Sequence, residues 1–180
     1  MRLKPKTILE LGPGNNIVTN ILKTMNYDVK TLDFDNSTKP DYNLSITDEK
    51  IDSIGTFDLI IASQVLEHIQ YKDFTKALKN LSKISTNLIL TLPHTTINSF
   101  TISLSLKIPT LKKITFSKKF FYKKVNHKFN GLHYWEIGKK DFPVKKISSD
   151  IQKSGWIIQA EFLNDENPFH YFFILKKTYV

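Results

Sequence analysis

The sequence has no cysteine among its 180 residues, which excludes disulfides, thiolate metal ligands and cysteine nucleophiles. It has no apolar run long enough to cross a bilayer, and its first residues, MRLKPKT, lack the apolar core of a secretory signal. It shows no internal repeat. These absences set the expectation of a cytoplasmic enzyme or binding protein, a single domain over residues 1–180. What is present supports a real core: hydrophobic residues make up 41%, with 13 Phe and 7 Tyr, far from the composition of a disordered chain.

Acidic residues are missing from one long central stretch. Residues 74–135 hold 11 Lys and no acid, whereas residues 1–73 hold 8 Lys or Arg against 11 acids. Residues 136–180 hold 7 Lys against 6 acids. The formal net charge of +9 therefore belongs to the central block rather than to the whole chain.

Hydrophobic periodicity predicts strands over residues 7–11, 28–34, 57–63 and 87–92, with a weaker one over 41–46. A helix is expected over 16–26, where Ile17, Val18, Ile21, Leu22 and Met25 share a face. A second is expected over 73–85 with Asp73 as N-cap, and a third over 142–154, stopped by Gly155. Two final strands, 156–163 and 171–176, stand close enough in sequence to form an antiparallel pair. Strands alternating with helices imply a doubly wound, mainly parallel α/β sheet, whose ligand lies beyond the C-terminal strand ends.

Residues 8–16 read ILELGPGNN, a buried strand followed by a glycine turn. Gly12 and Gly14 let the backbone approach a ligand closely, and the next helix offers its N-terminal N–H groups. Asp33, at the end of the second strand, has the spacing of a carboxylate that accepts from ribose hydroxyls. Two details separate the adenosine cofactors. Ile17 stands where the NAD fingerprint wants a third glycine. Glu10, two residues before Gly12, would repel a pyrophosphate but attract the amino group of a sulfonium-bearing amino acid. Both favour S-adenosylmethionine over NAD.

The segments ILELGPGNN, TLDFD, FDLIIASQVLEHI and LILTLP resemble class I S-adenosylmethionine-dependent methyltransferases, specifically the small methyltransferase type 11 group. The tail HYWEIGKKDFPVKKISSDIQKSGW with NPFHYFFILKK is similar to the C-terminal part of one branch of that group. The resemblance implies a Rossmann-like seven-stranded sheet with the last strand inserted antiparallel. It implies that Glu10, Gly12 and Gly14 line the methionine part of the cofactor, with Asn16 in place of a frequent third glycine. Asp33 should hold the ribose and Phe34 should lie beside the adenine. Ser45 and Ile46 match the place of an Asp and an apolar residue at the adenine edge, with Asp48 as an available substitute carboxylate. Ser63 and Gln64 should face the sulfonium. Many relatives carry a helix before the first strand that helps cover the cofactor. Here six residues precede it, so either the central block serves as the lid or the site is more open.

Methyl transfer from a sulfonium is an in-line displacement, and an oxygen or nitrogen acceptor often needs a base. His94, after the fifth strand, and His133, past the basic block, are the acid/base candidates, although a lone histidine is more often a structural hydrogen bonder. His127 is expected among solvated lysines, and His170 is expected to be structural. Some metal-dependent O-methyltransferases carry Glu-x-x-Glu-His where this chain has Gln64, Glu67 and His68. A neutral amide at the first ligand is a poor substitute for a carboxylate on a hard cation, so no metal is expected, and Glu67 with His68 should order a helix start. The chain lacks the Asn/Asp-Pro-Pro-aromatic motif of the familiar amino-methylating enzymes.

The basic block over about 95–135 occupies the place of a lid or substrate-recognition insertion. Lysine pairs at 112–113, 118–119 and 123–124 alternate with Phe, Tyr, Ile and Leu at a spacing that matches neither 3.6 nor 2, and Pro109 breaks it further. A solvated lid, an acceptor-binding face for anionic molecules with contact to a membrane surface, and a nucleic-acid track all remain open. The block's lack of Arg weighs against the last. The function expected is methyl transfer to a small-molecule or glycan-precursor acceptor, with O-methylation favoured. An RNA methyltransferase using residues 107–128, or a non-catalytic partner subunit of the same fold, are the alternatives.

Overall fold

Strand β1 (Thr7–Leu11) runs through the middle of the molecule with Ile8, Leu9, Glu10 and Leu11 all buried, as a strand covered on both faces requires. The structure, a computed structural model, describes residues 3–107, 114–129 and 131–178. Pro109, Lys112 and Lys113 of the basic block lie outside the described residues.

β1 pairs in parallel with β2 (Asp28–Asp33) on one side and β4 (Leu59–Ser63) on the other. β3 (Tyr42–Asn43) extends the sheet beyond β2, and β5 (Asn87–Pro93) beyond β4, again in parallel. β9 (His170–Lys177) runs antiparallel to β5, and β8 (Trp156–Leu163) antiparallel to β9. The order β3-β2-β1-β4-β5-β9-β8 is the expected seven-stranded α/β sheet with its last strand antiparallel. The sheet is broken in direction only where β9 is inserted, so the C-terminal ends of β1, β2 and β4 open on one edge, where a switch-point ligand binds.

Helix α2 (Tyr71–Ile84) buries Phe74, Ala77, Leu78, Leu81 and Ile84, the face that its spacing predicts. Its N-cap position is Gln70, so Asp73 falls in the first turn, where a carboxylate still meets the positive end of the helix dipole. Helix α3 (Val144–Lys153) starts behind Pro143 and stops before Gly155, whose φ of +86° makes the reversal that a side chain resists. Trp156 then drives its ring into the core and donates from Nε1 to Leu78 O at 3.0 Å.

Helix α1 (Ile17–Thr24) departs from its pattern. Ile17, Val18, Ile21 and Met25 are exposed, while Thr19 is buried and Leu22 packs on Ile8, Val29 and Leu59. The cause is polar: Thr19 Oγ1 donates to the buried carboxylate of Glu10, which turns that side of the helix inward. β3 is shorter than its pattern because residues 44–48 peel away. Asn80 Nδ2 holds that loop through Ile46 O at 3.0 Å and Asp48 O at 2.9 Å.

The basic block contains regular structure that its lysine spacing hides. β6 (Ser99–Leu106) and β7 (Ile114–Phe121) form a separate antiparallel ribbon. One face is polar, with Ser103 against Ser117 at 2.6 Å and Ser105 against Thr115 at 3.1 Å. The other carries Phe100, Ile102, Leu104, Leu106 and Phe116, all exposed.

Candidate functional site

The strand ends open onto a cavity of about 290 Å³. Seven residues expected there line it: Gly12, Gly14, Asp33, Phe34, Ser45, Ile46 and Gln64. Val65, His68 and Ile69 complete the wall beyond β4. Gly12 has φ +58°, and a Cβ placed on it would come within 2.9 Å of Val65 Cγ2, so the turn admits no side chain there without displacing the wall. Asn16 has φ +60° and donates its N–H to Pro13 O at 2.8 Å, closing the turn into α1.

Asp33 Oδ1 accepts from the Asp35 N–H at 3.0 Å and Oδ2 from Thr38 Oγ1 at 3.3 Å, which leaves lone pairs on both oxygens. The ring of Phe34 beside it is 76% exposed. Ser45 Oγ is spent on Thr47 Oγ1 at 2.8 Å, while Ile46 is buried under the loop. Gln64 sits at φ +58° and donates from Nε2 to Thr91 Oγ1 at 3.3 Å; its Oε1 is buried without a partner. A glycine turn without room for Cβ, an acid with spare lone pairs and an uncovered aromatic ring fit a nucleoside with a short polar tail. Glu10, Asn16 and Ser63 stand outside the cavity lining. Glu10 is buried beneath the turn, and burial raises its pKa against the lowering effect of Thr19. Ser63 Oγ lies 3.2 Å from Thr91 Oγ1.

A second set of groups adjoins this wall. Residues 132–137 form a strap laid over the turn between β4 and α2. The Tyr134 N–H donates to Glu67 O at 2.9 Å, and Trp135 Nε1 donates to Ile69 O at 3.2 Å from a fully buried ring. The Ile137 N–H donates to Pro93 O at 2.9 Å, tying the strap to the end of β5. His133 is thereby set edge-on to His68, with ring centroids 5.2 Å apart. Glu67 is fully buried, and among the described residues neither carboxylate oxygen makes a well-formed hydrogen bond. Burial, reinforced by the nearby Glu136, pushes its pKa up to about 8. His127, expected to be solvated, is half-buried with Nε2 2.8 Å from His133 O, so it donates to the strap.

His94 is placed elsewhere. It does not line that cavity but a separate one of about 530 Å³, with Lys119 and Tyr171. Its ring is buried against Phe121 and Tyr171. Burial, with the Lys119 charge, lowers its pKa to about 3. Lys119 donates from Nζ to His94 O at 3.1 Å and to Pro168 O, and its own pKa falls to about 8 by burial. So the structure brings His133 to the cavity through His68, and leaves His94 out. Glu67 and His68, expected from the QVLEHI stretch only to order a helix start, meet His133 from 65 residues on.

Comparisons with known proteins place this geometry. A family model described as a methyltransferase domain matches residues 2–137. Sequence comparison with curated proteins gives no match. Among solved structures, the glycopeptide N-methyltransferase MtfA complexed with sinefungin is similar at 10% identity and TM-score 0.64, over 98% of this chain and 88% of that one. The 1,6-didemethyltoxoflavin-N1-methyltransferase of Burkholderia thailandensis, with its toxoflavin precursor and S-adenosylhomocysteine, is similar at 10% identity and TM-score 0.62, over 98% and 72% of the two chains. The N-terminal domain of EvdMO1, with S-adenosylhomocysteine and D-fucose, is similar at 11% identity and TM-score 0.51, over 97% and 77%. A glycine turn and strand-end acid on this sheet order, matched by a family model over most of the chain, identify a member of the methyltransferase-domain family: an S-adenosylmethionine-dependent methyltransferase of the class I fold.

Proposed function

We propose that the chain methylates a hydroxyl of a small molecule or glycan precursor. The observation that carries this is the position of His68, which lines the cavity while its ring meets His133. An acceptor placed beside the cofactor would therefore meet His68, with the His133 ring edge-on behind it. S-Adenosylmethionine, when bound, supplies a methyl group on a sulfonium. Gly12 and Gly14 would admit its methionine part, with Glu10 and Asn16 supporting the turn, and Asp33 would accept from the ribose hydroxyls. Phe34, Ser45 and Ile46 would flank the adenine, and Ser63 and Gln64 the sulfonium.

A hydroxyl must shed its proton as it is methylated, and a base oriented by a second group does this best. His133 has that arrangement, since its Nδ1 lies 3.1 Å from Glu136 Oε1. His94, which takes a proton only near pH 3, does not. Two of the similar structures are N-methyltransferases, of a glycopeptide and of 1,6-didemethyltoxoflavin, and a third was crystallised in the presence of D-fucose, which supports a small or glycan-type acceptor.

The ribbon of β6 and β7 would bring that acceptor in. Its exposed apolar face, with Lys118 Nζ 5.3 Å from the Phe120 ring centre, suits the headgroup boundary of an anionic membrane, where lipid-linked precursors lie. The test is methyl transfer from labelled S-adenosylmethionine to nucleotide-linked sugars, lipid-linked sugars and RNA, with the products located by mass spectrometry. An O-methylated sugar is expected. Methylation confined to RNA, or to nitrogen, would overturn the proposal.

A further inference from the structure

We propose that Glu67, His68 and His133 hold a divalent first-row transition-metal ion at the edge of the cofactor cavity. One potential ligand atom from each lies within 4.8 Å of the other two. The hydrogen bonds around the imidazoles prepare them as ligands. His68 Nδ1 lies 3.0 Å from Leu132 O, and a carbonyl can only accept, so the proton is on Nδ1 and Nε2 carries the lone pair. His133 Nδ1 lies 3.1 Å from Glu136 Oε1, whose other oxygen is 3.7 Å from Lys139 Nζ. A carboxylate behind a histidine is the arrangement that fixes the tautomer and ring angle of metal-bound histidines.

Glu67 supplies the strongest reason. Its carboxylate is 0% exposed, and among the described residues neither oxygen has a well-formed hydrogen bond, with only its own backbone N–H acting to lower its pKa. A buried carboxylate needs a cation or a full set of donors, and a single proton would still leave one oxygen unpartnered. Lysine and arginine do not fill the role: Lys139 reaches Glu136 instead. Two imidazoles and one carboxylate, with the remaining positions open, suit Zn²⁺, Co²⁺, Mn²⁺ or Fe²⁺ rather than Mg²⁺ or Ca²⁺, which prefer all-oxygen shells. The expectation of no metal rested on Gln64 in place of an acid. The strap supplies instead a ligand that sequence distance conceals, and Gln64, on the same cavity wall, keeps a buried unpartnered Oε1 of its own.

This rests on the proposed function for what the ion does, not for its binding, and replaces one part of it: an ion there would lower the cost of removing the acceptor's hydroxyl proton to solvent, and His133 would serve as a ligand in place of the base role proposed for it. The test uses the untagged full chain, freed of metal with a chelator and without cofactor. Zn²⁺ is titrated by calorimetry, and Co²⁺ is followed by its visible absorption. One equivalent of each is expected to bind, with Mg²⁺ giving no signal. His68→Ala, at an exposed position, and the near-isosteric Glu67→Gln should each weaken binding at least about tenfold, and Glu136→Gln by about 10–100-fold. Absence of binding, or equal binding in His68→Ala and Glu67→Gln, would overturn the site. S-Adenosylmethionine is titrated separately: its failure to bind beside intact Co²⁺ binding would strike the methyltransferase assignment of the cavity alone.

Discussion

Replacing His94 by Phe should remove most of one acid-sensitive contribution to stability. The imidazole is buried between Phe121 and Tyr171, its Nδ1 has no hydrogen-bond partner among the described residues, and the Lys119 ammonium lies close by. In the unfolded chain this group titrates at its ordinary value of 6.5, and in the folded chain at about 3. Between those values the unfolded state binds the extra proton, so stability is present above 6.5 and is lost as pH falls toward 3. At about pH 4 the loss amounts to roughly 3 kcal/mol, a large part of a typical total of about 5–15 kcal/mol. Urea denaturation of the wild type and His94→Phe, at about pH 7 and about pH 4, reads it directly as a change in midpoint at constant slope. Glu67 acts in the opposite direction, since its raised pKa favours the folded state as pH falls from about 8, but it does so equally in both proteins. The difference between the two acid limbs therefore isolates His94. Parallel limbs would refute the reasoning, because they would mean that water or an acceptor reaches the ring and that His94 retains an ordinary pKa suitable for a base.

Three further outcomes test other parts of the site. Asp33→Ala should weaken S-adenosylmethionine binding by roughly a hundredfold in calorimetry, the value of about two hydrogen bonds to an ionised acceptor. Gly12→Ala should cost more than Gly14→Ala in thermal denaturation: both force a side chain to a positive φ, worth about 1–2 kcal/mol, but only at Gly12 does the new Cβ meet Val65. Replacing Phe116, 65% exposed on the ribbon, with Ser should reduce flotation with phosphatidylglycerol vesicles while leaving thermal stability unchanged.

The glycine-turn side of the cavity was readable from the sequence because its parts are local. Gly12, Gly14 and Asp33 act through the turn and strand end that they themselves form, so spacing is enough to place them. The ribbon was hidden by its own lysines. The alternation of Phe100, Ile102, Leu104 and Leu106 with Thr101, Ser103 and Ser105 has the period of a strand, but the lysine pairs of the second arm obscure it when the block is taken whole. The exposed face of α1 failed for another reason: apolar spacing marks a face without saying which way it turns, and a single buried Thr19–Glu10 hydrogen bond decides that. His133 was a candidate by residue type, but its role depends on contacts across the fold that no local pattern carries.

The strap at residues 132–137 joins two separately built parts of the candidate site. The glycine turn and Asp33 belong to β1 and β2, whereas His133 and Glu136 arrive from beyond the ribbon and are fixed only by bonds to the turn at Glu67–Ile69 and to Pro93. Trp135 is the anchor: its buried ring packs edge-on against Phe74 and Tyr71 at 5.0 Å and its Nε1 is satisfied by Ile69 O. A side chain of that size buried between two such bonds sets the strap to within a rotamer, and with it the imidazole two residues before. The cavity is therefore lined by strand ends, the loop at 44–46 and the turn after β4, while the position of His133 depends on how the strap docks. On the proposed function, changes in the ribbon and strap would alter the acceptor without disturbing the glycine turn, which is how one sheet can serve many acceptors.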